Sequence, residues 1–166
     1  MKTSCSTPLV ALLLLSMWST STWAQTIATC GKPEGYAYYH YAAMLPKKDS
    51  GFTKDKISDG MLTIQKMPDS SYDILIVDAS KTIRSMVQDG GKVMLLRKGT
   101  KDATFILYFP AGSLELYTFW VDSEGQAKYD SLQSRGGDGA PFHKSSVMVG
   151  SCDVINFPLI DHSPKN

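Results

Sequence analysis

Residues 103–122 read ATFILYFPAGSLELYTFWVD, which is two apolar runs joined by Pro110-Ala111-Gly112. Both runs are rich in the aromatic and aliphatic residues that favour β-strands, and the proline and glycine between them suit a tight reversal. A connection this short cannot cross over a sheet, so the two strands are expected to be antiparallel neighbours. This hairpin indicates the fold class, because similar runs recur on both sides of it.

The same alternation of short apolar runs and turn-rich connections continues at intervals of about ten residues from Met61 to Cys152. It predicts an all-β domain, a single antiparallel meander of about eight strands that forms a small barrel or a two-sheet sandwich. The predicted strands are Met61–Met67, Tyr72–Asp78, Thr82–Gln88, Lys92–Lys98, Ala103–Phe109, Ser113–Asp122, Gln126–Arg135 and Ser145–Cys152.

Two segments fit this scheme poorly. Thr82–Gln88 is predicted as a strand, although its apolar spacing also suits a helix, and Gly35–Leu45 suits a strand or a short helix equally well. Lys47–Gly60 mixes Lys, Asp and Ser, which favours a solvated linker over a binding loop.

The faces of the strands are predicted from the same patterns. Ala103–Phe109 is apolar at almost every position, which predicts a strand covered on both sides, whereas Met61–Lys66 alternates and predicts a half-exposed strand. In Ser113–Asp122 the face that carries Glu115 is expected to meet water, and it is unusually aromatic for that role.

Residues 1–24 are interpreted as a cleavable signal peptide. They combine Lys2 with an apolar run from Pro8 to Trp18 and small residues around Ala24. The run is too short to span a bilayer, so no membrane span is expected in the mature form. Removing 24 of the 166 residues leaves 142, which predicts one mature β domain over 25–166, with 158–166 as a loose polar tail.

Export also changes the cysteine count. Cys5 leaves with the signal peptide, and in an oxidising compartment Cys30 and Cys152 are expected to form a disulfide that joins the two ends of the meander. Cys30 is expected just before the first strand and Cys152 at the end of the last. Neither belongs to a C-x-x-C pair, which favours a structural role, and the predicted location is secreted or periplasmic.

Charge and motifs exclude several functions. Of 17 basic and 16 acidic residues, the mature chain keeps 16 of each, so it lacks the basic field of a nucleic-acid-binding protein. His40, His143 and His162 are scattered, and no metal site or cofactor is expected. Residues 134–146, SRGGDGAPFHKSS, are interpreted as a flexible connection, and no catalytic residue is assigned.

Aromatic side chains are the candidate binding residues. Tyr36, Tyr38, Tyr117 and Phe119 carry rings that are able to contact an apolar molecule or a sugar, although strand packing alone also explains them. The sequence therefore favours an exported, non-catalytic β domain that binds a small ligand, a glycan or another protein. The alternative is a small secreted hydrolase in which folding brings a serine or carboxylate to His143.

Overall fold

Ten β-strands form one curled antiparallel sheet in a computed structural model that describes residues 23–41, 45–77, 80–110, 112–137, 140 and 143–161. The strands are β1 (Gln25–Tyr39), β2 (Gly51–Lys56), β3 (Met61–Lys66), β4 (Tyr72–Val77), β5 (Ile83–Ser85), β6 (Lys92–Lys98), β7 (Asp102–Phe109), β8 (Ser113–Val121), β9 (Ala127–Arg135) and β10 (Lys144–Ile155). Short 3₁₀ helices cover Lys47–Asp49 and Phe157–Leu159.

The strand order is β5-β4-β3-β1-β10-β9-β8-β7-β6, with β2 paired to β1 beside β3. The long strand β1 pairs with β10 along one side, and along the other side it pairs first with β3 and then with β2. The sheet is strongly curled. Its end strands β5 and β6 share no ladder within the described residues, so the sheet forms a half-barrel. The all-β prediction is confirmed, and a single curled sheet is the form that it takes.

The predicted disulfide is present. Cys30 and Cys152 are opposite partners in the ladder between β1 and β10, with their Cα atoms 3.8 Å apart. Their predicted positions were wrong, because both cysteines lie inside strands: β1 continues nine residues past Cys30 to Tyr39, and β10 continues to Ile155. The bond therefore joins the first and last strands along their length.

The interior of the half-barrel is lined by every second residue of the central strands. In β7 these are Ala103, Phe105 and Leu107, which are fully buried, whereas Tyr108 on the opposite face is exposed. The prediction that this strand is covered on both sides was wrong, since no second layer packs against the outer face within the described residues. The outer face of β7 is apolar although it is partly exposed, so in the sequence this strand resembles one that is covered on both sides.

In β8 the two faces were assigned the wrong way round. Tyr117 and Phe119 are 5% and 1% exposed and point into the half-barrel, while Leu114 on the other face is exposed. Glu115 and Ser113 share the inner face, and their polarity suggested a surface that meets water. The inner face of this strand is polar at one end and aromatic at the other.

Strand β2 was not predicted, and only the last part of β1 was considered, because Gly35–Leu45 was left open between a strand and a short helix. The alternation of β1 is interrupted at Lys32 and Pro33, where the backbone of Lys32 has a positive φ and the register with β10 shifts. Strand β2 is mostly polar and pairs with β1 alone among the described strands, so its segment resembled a linker. Such an edge strand has little apolar surface to reveal it.

The segment 82–88 is a strand only over Ile83–Ser85, and a turn follows. Asp73, which is buried, accepts hydrogen bonds from the Ser85 hydroxyl at 2.6 Å and the Val87 backbone N–H at 3.1 Å. This carboxylate stops the strand and directs Met86 into the core. The predicted strand Thr82–Gln88 was therefore too long, because its last residues form this turn.

The chain after β10 packs against the sheet as far as Asp161. Ile160 is buried, its carbonyl accepts a hydrogen bond from Lys98 Nζ at 2.7 Å, and the Asp161 backbone N–H donates to the Tyr72 hydroxyl at 3.1 Å. The first part of the expected tail 158–166 is thus ordered by specific contacts. Residues 162–166, including His162, lie outside the described residues, as do residues 1–22 of the predicted signal peptide.

Replacing both bridging cysteines by serine (Cys30→Ser with Cys152→Ser) tests the contribution of the bond. The disulfide closes a loop with a sequence separation of 122 residues. Its loss should lower the free energy of unfolding by about 2–4 kcal/mol, because the unfolded chain gains conformational freedom. Urea unfolding of both proteins, with and without a reducing agent, measures the difference.

The reducing agent provides the internal control for this experiment. It should destabilise the wild-type protein and leave the double variant unchanged. Equal unfolding midpoints for the two proteins under oxidising conditions would contradict the prediction.

Candidate functional site

Three neighbouring strands, β8, β9 and β10, present a regular grid of side chains to the interior. Cross-strand pairing defines its rows. In order, the rows are Ser113–Arg135–Lys144, Glu115–Gln133–Ser146, Tyr117–Ser131–Met148 and Phe119–Tyr129–Gly150. The end of the half-barrel at the first row is called the open end, and the end at the last row is called the deep end. The grid changes from charged and polar at the open end to aromatic in the depth of the half-barrel.

The deep end is filled by aromatic rings. Phe119 stacks on Tyr129 with ring centroids 6.0 Å apart, and Phe105 meets Phe119 and Tyr72 edge to face. Gly150 opposite Tyr129 is required here, because a Cβ at that position would lie 2.4 Å from the tyrosine ring. This end forms the packed core, and its Tyr129 also borders the cavity of the other end.

The open end contains a cavity of about 410 Å³. One wall is the polar part of the grid, and the facing wall is mostly apolar. The apolar wall consists of Pro33, Ile57, Leu62, Ile76, Met86 and Phe109, contributed by β1, β3, β4, β7 and the connections between strands. A volume of this size, with one apolar side and a few convergent polar groups, is typical of a pocket for a small organic molecule.

Glu115 is the centre of the polar wall. Its Oε1 accepts hydrogen bonds from the Ser113 hydroxyl at 3.2 Å and from Gln133 Nε2 at 2.6 Å, and the Tyr117 hydroxyl donates to its Oε2. All three donors are neutral side chains of β8 and β9. They hold the half-buried carboxylate in one orientation beside the cavity.

At the open end, Lys144 is held by Asp55 of β2. The Lys144 Nζ lies 2.7 Å from Asp55 Oδ2 and 5.3 Å from the centre of the Tyr39 ring. The hydrogen bond from Lys144 lowers the pKa of Asp55, and this outweighs the opposing effect of partial burial. The pair ties β2 to β10 across β1, and it neutralises the lysine charge.

Two tyrosines of the grid resist ionisation. Burial raises the pKa of Tyr129 to about 12, and burial raises the pKa of Tyr117 well above its ordinary value, with a further contribution from the negative charge of Glu115. At neutral pH the Tyr117 hydroxyl therefore remains a hydrogen-bond donor, which is the form that the Glu115 network needs.

A second, shallower groove of about 660 Å³ lies on the outside of the sheet. It follows an outer apolar row in which cross-strand partners from six adjacent strands are all apolar: Met94, Ile106, Leu116, Leu132, Val147 and Tyr36. Tyr38 and Phe52 extend the groove, with their rings 4.8 Å apart, and Phe52 is 82% exposed. Polar residues, among them His40, Ser134 and Ser145, also border the groove, but its exposed area is mostly apolar.

The four aromatic candidates do not form one surface. Tyr36 and Tyr38 line the outer groove, whereas Tyr117 lines the interior cavity and Phe119 belongs to the packed core. Their role in ligand contact stays a prediction. Sequence reasoning missed Glu115, Gln133 and Ser146 as pocket residues, although polar residues alternating with aromatic ones on β8 and β9 were a visible signal.

His143 lies at the rim and is exposed. Its carbonyl oxygen accepts a hydrogen bond from the His40 backbone N–H at 3.0 Å, and the two imidazole rings are 6.4 Å apart. No hydroxyl or carboxylate of the described residues donates to or accepts from the His143 ring. The arrangement that a hydrolase would need is absent from this part of the chain, and Asp138 lies outside the described residues.

No group of three or more His, Cys, Asp and Glu side chains is placed to hold a metal ion in the described part of the chain. Among the same residues, none belongs to a helix that is long and apolar enough to cross a membrane. Comparisons with protein-family models, with curated proteins and with solved structures find no match.

The raised tyrosine pKa values predict alkaline destabilisation. Because folding raises the pKa of Tyr129 from about 10 to about 12, the folded state keeps its proton more strongly than the unfolded state. The stabilising contribution is complete below pH 10 and is lost as the pH rises through 12. Urea unfolding between pH 8 and pH 12 should show the loss.

Tyr129→Phe removes the titrating hydroxyl and should flatten this decline. Tyr36→Phe, on an exposed ring, is the matched control and should follow the wild-type curve. Identical pH dependence in Tyr129→Phe and wild type would contradict the assignment.

Proposed function

We propose that this protein is an exported, non-catalytic binding protein that holds a small, largely apolar molecule in the cavity of the half-barrel. The observation that carries the proposal is the cavity of about 410 Å³ between an apolar wall and the Glu115 grid. A fully packed interior would have left no room for such a ligand. The predicted signal peptide and the disulfide support export to an oxidising compartment, either outside the cell or in a periplasm.

The interior cavity is favoured over the outer groove because of its polar groups. Binding pockets generally combine apolar area with a few fixed polar groups that orient the ligand. In the cavity, Glu115, Gln133 and Ser146 form one row and face the apolar wall. The exposed area of the outer groove is mostly apolar, which suits unspecific contacts better.

The hydrolase alternative gains no support from the described residues. His143 is exposed, and its ring has no described hydroxyl or carboxylate partner, so no nucleophile and base stand together. A binding role is the simpler interpretation of this end of the sheet.

Adjacent residues of β9 allow a sharp test, because they point to opposite faces. Ser131→Phe fills the cavity, and Leu132→Phe adds the same ring to the outer groove. N-phenylnaphthylamine, an uncharged dye whose fluorescence rises in apolar surroundings, serves as the probe. Ser131→Phe should weaken its binding at least about tenfold, or about 1.4 kcal/mol, while Leu132→Phe should bind it as wild type does.

Circular dichroism and thermal unfolding establish that both variants are folded. Loss of dye binding in Leu132→Phe alone would place the probe in the outer groove and refute the proposal. An absence of dye binding to the wild-type protein would refute it as well.

A further inference from the structure

The charged side chains that line the cavity differ in whether they have a counter-ion. Arg84 lies 2.6 Å from Asp89, and Lys144 lies 2.7 Å from Asp55, so these pairs are internally neutral. Arg135 also has an interaction partner. Glu115 differs, because its hydrogen bonds come from Ser113, Gln133 and Tyr117, and no described basic nitrogen lies within ion-pair distance of its oxygens.

Among the described residues, this carboxylate is oriented by neutral donors and has no ion-pair partner. A half-buried charge is costly unless hydrogen bonds and an opposite charge compensate it, and neutral donors supply only the hydrogen bonds. A carboxylate has about four acceptor positions on its two oxygens. Ser113 and Gln133 occupy two positions on Oε1, and Tyr117 occupies one on Oε2, which leaves an acceptor position on Oε2 among the described contacts.

We propose that the cavity selects amphiphilic amines, with the protonated amine donating to Glu115 and the apolar body lying against Leu62, Ile76 and Met86. This inference rests on the proposed binding function and assigns its ligand class. An amine supplies the counter-ion that Glu115 lacks, and an ammonium–carboxylate hydrogen bond is among the stronger polar contacts. Lys144 and Arg84, which would meet an anionic head group, are already paired with Asp55 and Asp89.

The apolar wall and the carboxylate together define the size of the ligand. The carboxylate lies in the second row of the grid, between the charged open end and the closed aromatic end. An alkylamine that carries a bicyclic aromatic ring is protonated at pH 7, and it would place its ring in the apolar part while its ammonium group remains beside Glu115. This geometry is the reason to choose naphthalene compounds as probes.

Three probes with the same ring system and different head groups test the proposal: naphthylmethylamine, naphthylmethanol and naphthoic acid. Their dissociation constants for the wild-type protein are measured by isothermal titration calorimetry at pH 7. The amine should bind about tenfold more tightly than the alcohol, and the acid should bind most weakly. Binding of the alcohol shows whether the cavity accepts the uncharged ring system. The amine and the acid then show how a positive or a negative head group changes the affinity.

Glu115→Gln removes the charge and keeps the shape of the side chain and an acceptor oxygen. The preference for the amine over the alcohol should disappear in this variant. Glu124→Gln, the same change at an exposed turn outside the cavity, is the matched control and should keep the wild-type preference. If Glu115→Gln does not fold, the ranking of the three probes on the wild-type protein still decides the question.

The outcomes separate the two proposals. Alcohol binding without a preference for the amine would overturn the amine assignment and leave the binding function supported. Tightest binding of the acid would also overturn it and would indicate recognition by the basic side chains at the open end. If none of the three probes binds the wild-type protein, the amine assignment and the interior binding function fail together.

Discussion

The pairing of β1 with β10 is the constraint on which the rest of the structure depends. It joins the two ends of the meander, and the Cys30–Cys152 bond holds the two strands at directly opposite positions. Just after Cys30, the register shifts and the positive φ of Lys32 bends β1, so that its partner changes from β3 to β2. The curled sheet that contains this pair encloses the interior of the half-barrel.

Local patterns predicted the strands that alternate clearly and are joined by short turns. Strands β6 to β9 fall almost where the apolar runs and turn residues place them, and the disulfide followed from cysteine count and compartment. Strand β1 was not predictable in the same way, because its partners lie at the other end of the chain and its alternation breaks at Pro33. Strand β2 is held mainly by its ladder with β1, which leaves little trace in composition.

The site was harder to predict than the fold, and the reason is physical. A polar residue in a strand usually faces water, so Glu115 suggested an outer face. In the structure it lies on the inner face because Tyr117 and Phe119, on the same face, belong to the interior. Its neighbours Gln133 and Ser146 come from other strands, and only the cross-strand register shows that the three residues form one row.

The interior is divided into a packed end and an end that contains a cavity. Stacked rings at the deep end bury apolar area, and Gly150 gives Tyr129 the space to pack there. The open end is incompletely packed, since filling it with apolar side chains would remove the cavity, and its polar groups are held by one another instead. A molecule that binds there only in the folded state adds its binding free energy to the stability of the protein. Such a ligand would stabilise the half-barrel at the end where its own side chains pack least.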